Sequence, residues 1–450
     1  MQLALVFASL GVADLWAAGS LGVDSTSYLF APDIKRETQF KSVQARWDGA
    51  SAGSIFEVKG RFEGIAMAPK PSFDFVDVPE LYVGTSPKLS RLQIGVGRRL
   101  ETWSALDDSW RLGLWQPRFR WDYLDPPASA LVGGNVIIQD GFVRFVALAS
   151  PVYIPERGVP VTVRDGRITP SLPWGSAPST EVMLFQTATQ VRYNVVMPNL
   201  EKVILNPVYS AKLRLGKETG PWISGSYGYK PINQILWGYE AYLDLNAPEP
   251  EANVTLHPRV AYHQLLAAET GYSSRAFDFS LSMLQEKPDR DLTPGTWTTQ
   301  ELTETLSVSP TLAFRFGGWA PDPATISLSF LREWGGSISG GQAPDKGPMA
   351  SGMDSVFEGR YPYQNAWKLG AKTALPGSLG RRLSWDFNLT YDVGHSGTIV
   401  SHLLSFRAYR GLELRAGADF LSSFRADGGT DFISQYRTND RIHMGITYVF

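Results

Sequence analysis

Cysteine is absent from the sequence of 450 residues, which excludes disulfide bonds and thiolate metal sites. Charged residues are also scarce, since they make up 19% of the chain against about 25% in an average globular protein. The net charge of -2 gives no electrostatic reason to expect a nucleic-acid partner. No clean apolar run of about 20 residues follows the first twenty residues, so the sequence predicts no transmembrane helix.

Sequence signals for catalysis and for metal binding are missing as well. There is no phosphate-binding loop of the form GxxxxGK[ST] and no EF-hand loop. The histidines are scattered along the chain at His257, His263, His395, His402 and His443. His257 and His263 are six residues apart, which we interpret as one strand register. A hydrolase at the mouth of a barrel would have to combine His395 with Asp107 or Asp108, and no motif supports that. We therefore expect no enzyme, no cofactor and no metal site.

What the sequence has in abundance is alternation between apolar residues and others. In the final segment, RIHMGITYVF, one register is wholly apolar and ends on an aromatic residue, whereas the other is mostly small or polar. The segments RRLSWDFNLTYDV, GLELRAGADF and AFDFSLSM repeat the pattern. A period of two residues is that of a β-strand. Such strands suit a soluble sheet with one buried face, and they also suit a membrane barrel with one face toward lipid.

The lengths of the connections favour the barrel. Short turns and long polar loops alternate along the C-terminal part of the chain. The short turns are 319–324, 376–380 and 409–411, and the long loops are 285–301, 335–362 and 422–439. Short periplasmic turns and long extracellular loops are typical of outer-membrane barrels. We predict an all-β protein, a single transmembrane antiparallel β-barrel of about 18 strands (range about 16 to 20), in the outer membrane of a Gram-negative bacterium.

About twenty segments have strand character by this alternation. They lie near residues 25–32, 39–48, 53–66, 80–86, 91–98, 132–139, 141–149, 184–194, 207–216, 221–230, 236–246, 254–267, 273–284, 303–316, 324–334, 365–375, 382–393, 398–409, 411–421 and 440–450. A closed barrel needs its last strand to pair with its first, because lipid offers no hydrogen bonds to a bare strand edge. We expect the strand at 440–450 to close the cylinder and Phe450 to lie in the interfacial aromatic girdle.

The first twenty residues, MQLALVFASLGVADLWAAGS, are apolar and end in small residues, as in a secretory signal, although no Lys or Arg precedes them. We predict a signal segment, or a truncated one, over residues 1–20. The barrel would then occupy residues 21–450, with inward or lid-forming loops at 100–131 and 150–183.

The N-terminal region resembles a known family. The segments PELYVGTS and LQIGVGRRLETWSALDD follow each other there, and this order is similar to the opening of large Gram-negative porin-like barrels of the alginate-export type. The matching residues are Glu80, Tyr82, Val83, Gly97, Arg98 and Trp103. The resemblance covers under a quarter of the chain, and it implies a porin-like barrel with an ordered loop after the second of these strands.

If the apolar registers face lipid, the other registers face the lumen and bring charges of both signs into it. The candidates for lining the lumen are Arg46, Glu57, Lys59, Arg61, Glu63, Glu80, Arg99, Glu240, Asp244, Arg315, Lys368, Lys372, Asp386, Asp392, Glu413, Arg415 and Asp419. One interpretation is a ladder of cross-strand ion pairs that stiffens the wall. The other is a polar track along which a hydrated solute moves.

Aromatic and charged residues crowd the segment 103–123, which follows the strand at 91–98. The candidates for a constriction loop there are Trp103, Asp107, Asp108, Trp110, Arg111, Trp115 and Arg118. Aromatic faces stack on sugars, and arginines bind anionic groups. The alternative is a loop with a small apolar core of its own.

Two functions follow from this sequence. The first is an outer-membrane channel or export porin that passes a polar solute or a polysaccharide through a lumen narrowed by loops. The alternative is a plugged, non-conducting barrel that anchors a larger envelope complex. The expected partners are outer-membrane lipid and lipopolysaccharide, with envelope-complex proteins as a further candidate and no nucleic acid.

Overall fold

The computed structural model describes residues 15–30, 38–52, 55–68, 74–175, 177–184, 186–289, 298–317, 324–340, 360–374, 382–409, 411–425 and 431–450. Eighteen strands form one closed antiparallel ring. They are β1 (Leu15–Tyr28), β2 (Gln39–Ala52), β3 (Phe56–Ala68), β4 (Phe75–Thr85), β5 (Leu92–Arg99), β6 (Leu131–Asp140), β7 (Val143–Ser150), β12 (Val208–Gly216), β13 (Gly220–Pro231), β16 (Tyr262–Ser273), β17 (Phe277–Pro288), β19 (Thr305–Phe316), β20 (Ala324–Gly335), β22 (Asn365–Ala374), β23 (Leu383–Asp392), β24 (Gly397–Tyr409), β25 (Leu412–Ser423) and β26 (Arg441–Val449).

The connections contain the remaining described strands and three short helices. The strands are β8 (Val161–Arg164), β9 (Arg167–Pro170), β10 (Glu181–Leu184), β11 (Thr187–Val195), β14 (Leu236–Asp244), β15 (Glu251–Arg259), β18 (Thr298–Leu302) and β21 (Ile338–Gly340). The helices are α1 (Ala105–Trp110), α2 (Leu200–Ile204) and α3 (Phe432–Tyr436). None of the helices in the described part of the chain is long and apolar enough to cross a membrane.

The last strand closes the barrel, as predicted. β26 pairs with β25 on one side and with β1 on the other, both antiparallel. Phe450 continues the second pairing, because its N–H donates to the Gly19 carbonyl at 2.9 Å and its own carbonyl accepts from the Gly19 N–H at 3.0 Å. Every strand of the ring therefore has two hydrogen-bonded neighbours, which is what a barrel in lipid requires. The predicted count of 18 strands is confirmed.

The apolar registers face outward. In β26, Met444 and Ile446 are 60% and 53% exposed, whereas Arg441 is 8% exposed and lies inside. The rest of the apolar register, including Phe450, is exposed in the same way. An outward belt of exposed apolar side chains around a closed ring is the surface that lipid covers.

Connections at the two ends of the barrel differ in length. At one end β6 is followed after two residues by β7, and β12 is followed after three residues by β13. At the other end residues 100–130 and 151–207 connect consecutive barrel strands. We refer to these as the short-turn end and the long-loop end. β1 begins at Leu15, so it includes the last six residues of the predicted signal segment. Residues 1–14 lie outside the described residues, and that segment stays a prediction.

A second sheet lies in the long connections and corrects the strand assignment. Its order is β10-β11-β15-β14-β18-β21, and we call it the loop sheet. The candidate strands at 184–194 and 236–246 belong to it and not to the barrel wall. Its strands alternate because one face packs on a small core of its own, around Tyr239, Val254 and Leu256. The alternation of apolar and polar residues is the same whether the apolar face of a strand packs on such a core or faces lipid.

Three residue assignments change as a result. Glu240 and Asp244 lie on β14 of the loop sheet, so their placement in the lumen is wrong. His257 lies on β15 and His263 on β16, so the candidate strand at 254–267 joins two separate strands. The single register proposed for the two histidines is therefore also wrong.

Candidate lumen and constriction loop

The connection between β5 and β6, residues 100–130, folds into the barrel, and we call it the constriction loop. Its only described helix, α1, begins after Ser104, whose side chain accepts from the Asp107 N–H at 3.4 Å. The helix ends at Arg111, which has a left-handed backbone with φ 55°. This reversal sends the chain back along the wall.

Asp107 fixes the fold of the loop. Its two carboxylate oxygens accept from the backbone N–H groups of Leu114 at 3.0 Å and Trp115 at 2.9 Å. The residue is 2% exposed. A buried carboxylate that accepts two backbone hydrogen bonds positions the chain. The combination of Asp107 with His395 as a hydrolase finds no support, because His395 Nδ1 lies 2.7 Å from Asp392.

Glu269 on β16 anchors the start of the loop to the wall. Its carboxylate accepts from the Ala105 N–H at 2.6 Å and from the Ser104 hydroxyl at 3.3 Å. The Ser224 hydroxyl on β13 donates to the same carboxylate at 3.0 Å. Glu269 thus joins two barrel strands to the first turn of α1.

Inward lysines bind carbonyl groups of the same loop. Lys212 on β12 donates to the Thr102 carbonyl at 2.6 Å, and Lys230 on β13 donates to the Leu114 carbonyl at 3.1 Å. Lys368 on β22 reaches the Ser109 carbonyl at 2.8 Å. The wall therefore holds the loop by its backbone at several points along its length.

Apolar packing fixes the loop between these polar contacts. Trp103 and Trp115 stack with ring centroids 5.7 Å apart, and both are buried with Leu265 and Leu284 of the wall. A Cβ atom at Gly228 would lie 2.6 Å from the Trp115 ring, so the close approach requires glycine there. We call the wall formed by β12, β13, β16, β17 and β19, with the loop packed on it, the filled half of the barrel.

A buried charge cluster ties a second connection to the filled half. The carboxylate of Glu286 on β17 accepts from Arg360 and Tyr361 of the connection that precedes β22, and it contacts His263 Nδ1. Lys230 Nζ lies 3.4 Å from His263 Nε2. All of these side chains are buried. The cluster holds the constriction loop and the segment around residue 360 to the same point of the wall.

The opposite side of the barrel contains open space, and we call it the open half. A cavity of about 650 Å³ lies between the constriction loop and the inward faces of β1–β4 and β22–β26. Six of the predicted lumen residues line this cavity, namely Arg46, Glu63, Lys368, Asp386, Arg415 and Asp419. Trp110 and Arg111 of the constriction loop line it from the other side.

Ion pairs neutralise much of the charge along the open half. Arg46 lies 2.7 Å from Asp48 and 3.6 Å from Glu63, and Arg415 lies 2.7 Å from Glu413. Other ion pairs of predicted lumen residues include Lys59–Glu80, Arg61–Asp48 and Arg441–Asp419, and Arg315–Asp278 lies on β19 and β17 of the filled half. Arg46, Glu63 and Arg415 both form ion pairs and line the cavity, and the two interpretations of the mixed charges stay predictions.

Other predicted residues lie outside the cavity lining. Tyr82 joins Glu57 and Arg99: its hydroxyl donates to Glu57 at 2.9 Å, and the Arg99 guanidinium lies 4.8 Å from its ring centroid. Lys372 lies opposite Asp386 in the register of β22 and β23. Asp392 is fully buried at the end of β23. The assignment of these residues to a solute path stays a prediction.

Asp108 of the constriction loop has a carboxyl whose pKa is raised. Burial, and secondarily the neighbouring Asp107, raise the pKa of its carboxyl to about 6. Arg118 lies 3.5 Å away, and 34% of the Asp108 side chain remains exposed. A carboxyl with a raised pKa in the constriction loop makes the local charge depend on pH.

Several site residues were not among the sequence candidates. Lys212, Lys230 and Glu269 are buried ionisable residues that hold the constriction loop, and the buried pair Glu286–Arg360 holds the connection that precedes β22. For the four residues that lie on strands, the available signal was a charged residue in the inward register of an otherwise apolar or small strand, whereas Arg360 lies in a connection. Among the described residues, no group of three or more His, Cys, Asp and Glu side chains is arranged to hold a metal ion.

Comparison with known proteins places the fold. No protein-family model matches the sequence, and no curated protein matches it. Among solved structures, OccAB4 of Acinetobacter baumannii matches over 98% of this chain and 98% of its own, with a TM-score of 0.50 and 9% identity. OccK2 (OpdF) of Pseudomonas aeruginosa matches over 98% of this chain and 99% of its own, with a TM-score of 0.52 and 9% identity.

These solved structures are Gram-negative outer-membrane porins, and the likeness shows a common fold. The chain has the closed antiparallel 18-strand barrel fold that the sequence predicted. The narrower resemblance to the alginate-export type stays a prediction.

Proposed function

We propose that the protein is an outer-membrane channel through which small polar solutes diffuse. The observation that carries this proposal is the division of the lumen. One half is filled by the constriction loop, and the other retains a cavity of about 650 Å³ lined by charged side chains of both signs. A barrel of this size with a loop folded inward is a narrowed pore, in which the lining groups set selectivity.

The chemistry of the cavity supports an uncharged or zwitterionic solute. Acids and bases alternate around it and are largely paired with one another, so no field of a single sign favours an anion or a cation over its opposite. Hydrated solutes that form hydrogen bonds with both carboxylates and guanidinium groups fit such a wall.

A sugar or a polysaccharide is the finer form of this proposal. Tyr28, Phe40, Phe75, Trp121 and Tyr123 line the cavity next to its charges. Rings of this kind pack on the apolar faces of sugars, while neighbouring charges accept and donate hydrogen bonds to hydroxyls. Export of a polymer would in addition require the cavity to continue along the whole barrel.

A plugged barrel that anchors an envelope complex is the second candidate. The extensive contacts of the constriction loop and of Arg360 and Tyr361 with the wall favour it, because they hold both segments against the inner face of the barrel. The loop sheet would then be the surface that a partner protein contacts.

Reconstitution into planar bilayers separates the two proposals. The channel proposal expects discrete current steps in KCl and, in proteoliposomes, faster swelling with a monosaccharide than with a trisaccharide. A folded, heat-modifiable protein that inserts and yet passes neither current nor sugar would reject the channel and support the anchor.

A further inference from the structure

The outward face of the barrel contains one arginine whose environment the channel function does not explain. In β20 the inward side chains of Leu331 and Glu333 are buried, and Trp334 is 48% exposed. Arg332 therefore shares the outward register with Phe330 and Trp334. No ion pair of Arg332 occurs among the described residues, and its guanidinium lies 5.6 Å from the ring centroid of Trp334.

Aromatic residues surround Arg332 on the same outward face. Phe330 contacts Trp367 of β22 with ring centroids 4.6 Å apart, and Trp367 is 46% exposed. We call Phe330, Arg332, Trp334 and Trp367 the rim patch. It combines three outward-facing rings with a cation that forms no ion pair within the described ranges.

The strand registers give the position of the rim patch along the barrel axis. Arg332 lies opposite Asn365, the first residue of β22, and opposite Val308, the fourth residue of β19. Gly335, three residues further on, ends β20. The patch therefore lies close to the long-loop end, where a lipid-facing Arg destabilises a barrel far less than it does at the bilayer midplane.

At this height an anionic lipid headgroup is the available partner. Long loops are extracellular in outer-membrane barrels, so the patch faces the outer leaflet. A guanidinium offers several N–H donors in a planar fork that matches the oxygens of a phosphate. Aromatic rings at the boundary pack on sugar faces and on the first carbons of acyl chains.

We propose that the rim patch binds a phosphorylated glycolipid of the outer leaflet, with Arg332 on the phosphate and the rings on the sugar and acyl parts. Free phosphate lacks the apolar parts that the rings contact. A simple anionic phospholipid lacks the sugar. The occupant therefore combines all three features, and it binds outside the lumen, independently of what the channel carries.

The test titrates the full-length protein in detergent with diphosphorylated lipid A and counts bound lipid by native mass spectrometry. Parallel titrations use dephosphorylated lipid A, phosphatidylglycerol and inorganic phosphate. We expect diphosphorylated lipid A to bind most tightly and Arg332→Gln to weaken its affinity roughly tenfold, as for the loss of a charge-assisted hydrogen bond. Arg332→Lys should retain part of the affinity, because the charge stays and the fork is lost.

Lys41→Gln is the matched control. Lys41 lies in the third position of β2, opposite Ser25 of β1 and Ala68 of β3, and we expect its replacement to leave lipid A affinity unchanged. The heat-modifiable band on gels shows that each variant is folded. Unchanged affinity of Arg332→Gln, an equal loss in Lys41→Gln, or equally tight binding of phosphatidylglycerol or inorganic phosphate would overturn the proposal.

Discussion

The filled half and the open half of the barrel are built from the same kind of strand, yet their inward charged side chains differ in burial and in the groups they contact. In the filled half, Lys230 and Glu286 are completely buried and bind loop segments. In the open half, Arg46 and Arg415 have 43% and 42% of their side chains exposed and pair along the wall. At these four positions an inward charge holds a loop where the loop covers it and lines the pore where it does not, whereas Lys368 both binds the Ser109 carbonyl and lines the cavity.

The largest expected effect is on conductance, and it comes from removing the constriction loop, which makes the filled half differ from the open half. Arg99 and Leu131 are directly paired in the register of β5 and β6, so a two-residue Asn-Gly turn can replace residues 100–130. We expect single-channel conductance to rise severalfold, because the filled half becomes open. Planar-bilayer recording checks this.

The control for that deletion shortens the loop sheet. An Asn-Gly turn in place of residues 245–250, between β14 and β15, should leave conductance as it is. If the deletion of the constriction loop also leaves conductance unchanged, the loop does not narrow the pore and the two halves do not differ as described.

The second prediction concerns Glu269 and Lys212, the buried residues that hold the constriction loop to the wall. Glu269→Gln leaves Lys212, 3.8 Å away and 8% exposed, without its carboxylate. Removal of one partner of a buried charge pair costs about 3–5 kcal/mol, and we expect a loss of this order in the free energy of unfolding, with noisier open-channel current. Denaturant titration, monitored by tryptophan fluorescence, measures the free energy of unfolding.

Asp278→Asn is the matched change for an exposed pair. Asp278 pairs with Arg315 near the short-turn end, and their side chains are 29% and 38% exposed. Exposed pairs contribute about 0–1 kcal/mol, so this variant should unfold close to the unmodified protein. Equal losses in both variants would mean that burial by the loop adds nothing to the Glu269 contacts.

The third effect concerns selectivity in the open half. Asp386→Lys places a cation opposite Lys372 on the neighbouring strand, in a cavity that Lys368 also lines, and leaves an excess of positive charge there. We expect the reversal potential in a KCl gradient to shift toward anion selectivity. Glu240→Lys in the loop sheet makes the same charge change away from the cavity, and a comparable shift there would contradict the assignment of Glu240.

The smallest effect is a pH dependence of the constriction loop. The pKa of Asp108 is raised to about 6, so the folded state binds its proton more strongly than the unfolded chain. The contribution of Asp108 to the free energy of unfolding therefore falls as pH rises from about 4 to about 6, and it does not change further above that range. Asp108→Asn should remove this part of the pH dependence, both in denaturant titrations and in channel current between pH 4 and 7. A variant with an unaltered pH profile would assign the dependence to another group.

The barrel was predictable because lipid imposes one rule on every strand. Ile442, Met444 and Ile446 must all be apolar to face hydrocarbon, and their spacing of two is visible in the sequence. The rings from Trp103 to Trp115 indicated a candidate constriction loop, because so many rings in one connection need a surface to cover them.

The errors have an equally physical origin. The loop sheet also alternates, since Tyr239 and Val254 face a small core as regularly as barrel residues face lipid, and Glu240 was assigned to the lumen for that reason. The contact of Glu286 with Arg360 joins residues 74 apart in the chain. A pairing of that kind depends on how two connections fold back over the rim, and it leaves no local pattern.

The loop sheet has a consequence for what the cell surface displays. Its six strands come from four connections of the barrel: β10 and β11 from one, β14 and β15 from a second, β18 from a third and β21 from a fourth. β11 and β15 are parallel neighbours from different connections. An antibody or a phage that recognises this sheet therefore binds a discontinuous epitope. Substitutions in any one of the four connections can abolish that recognition, and peptides copied from a single connection cannot reproduce it.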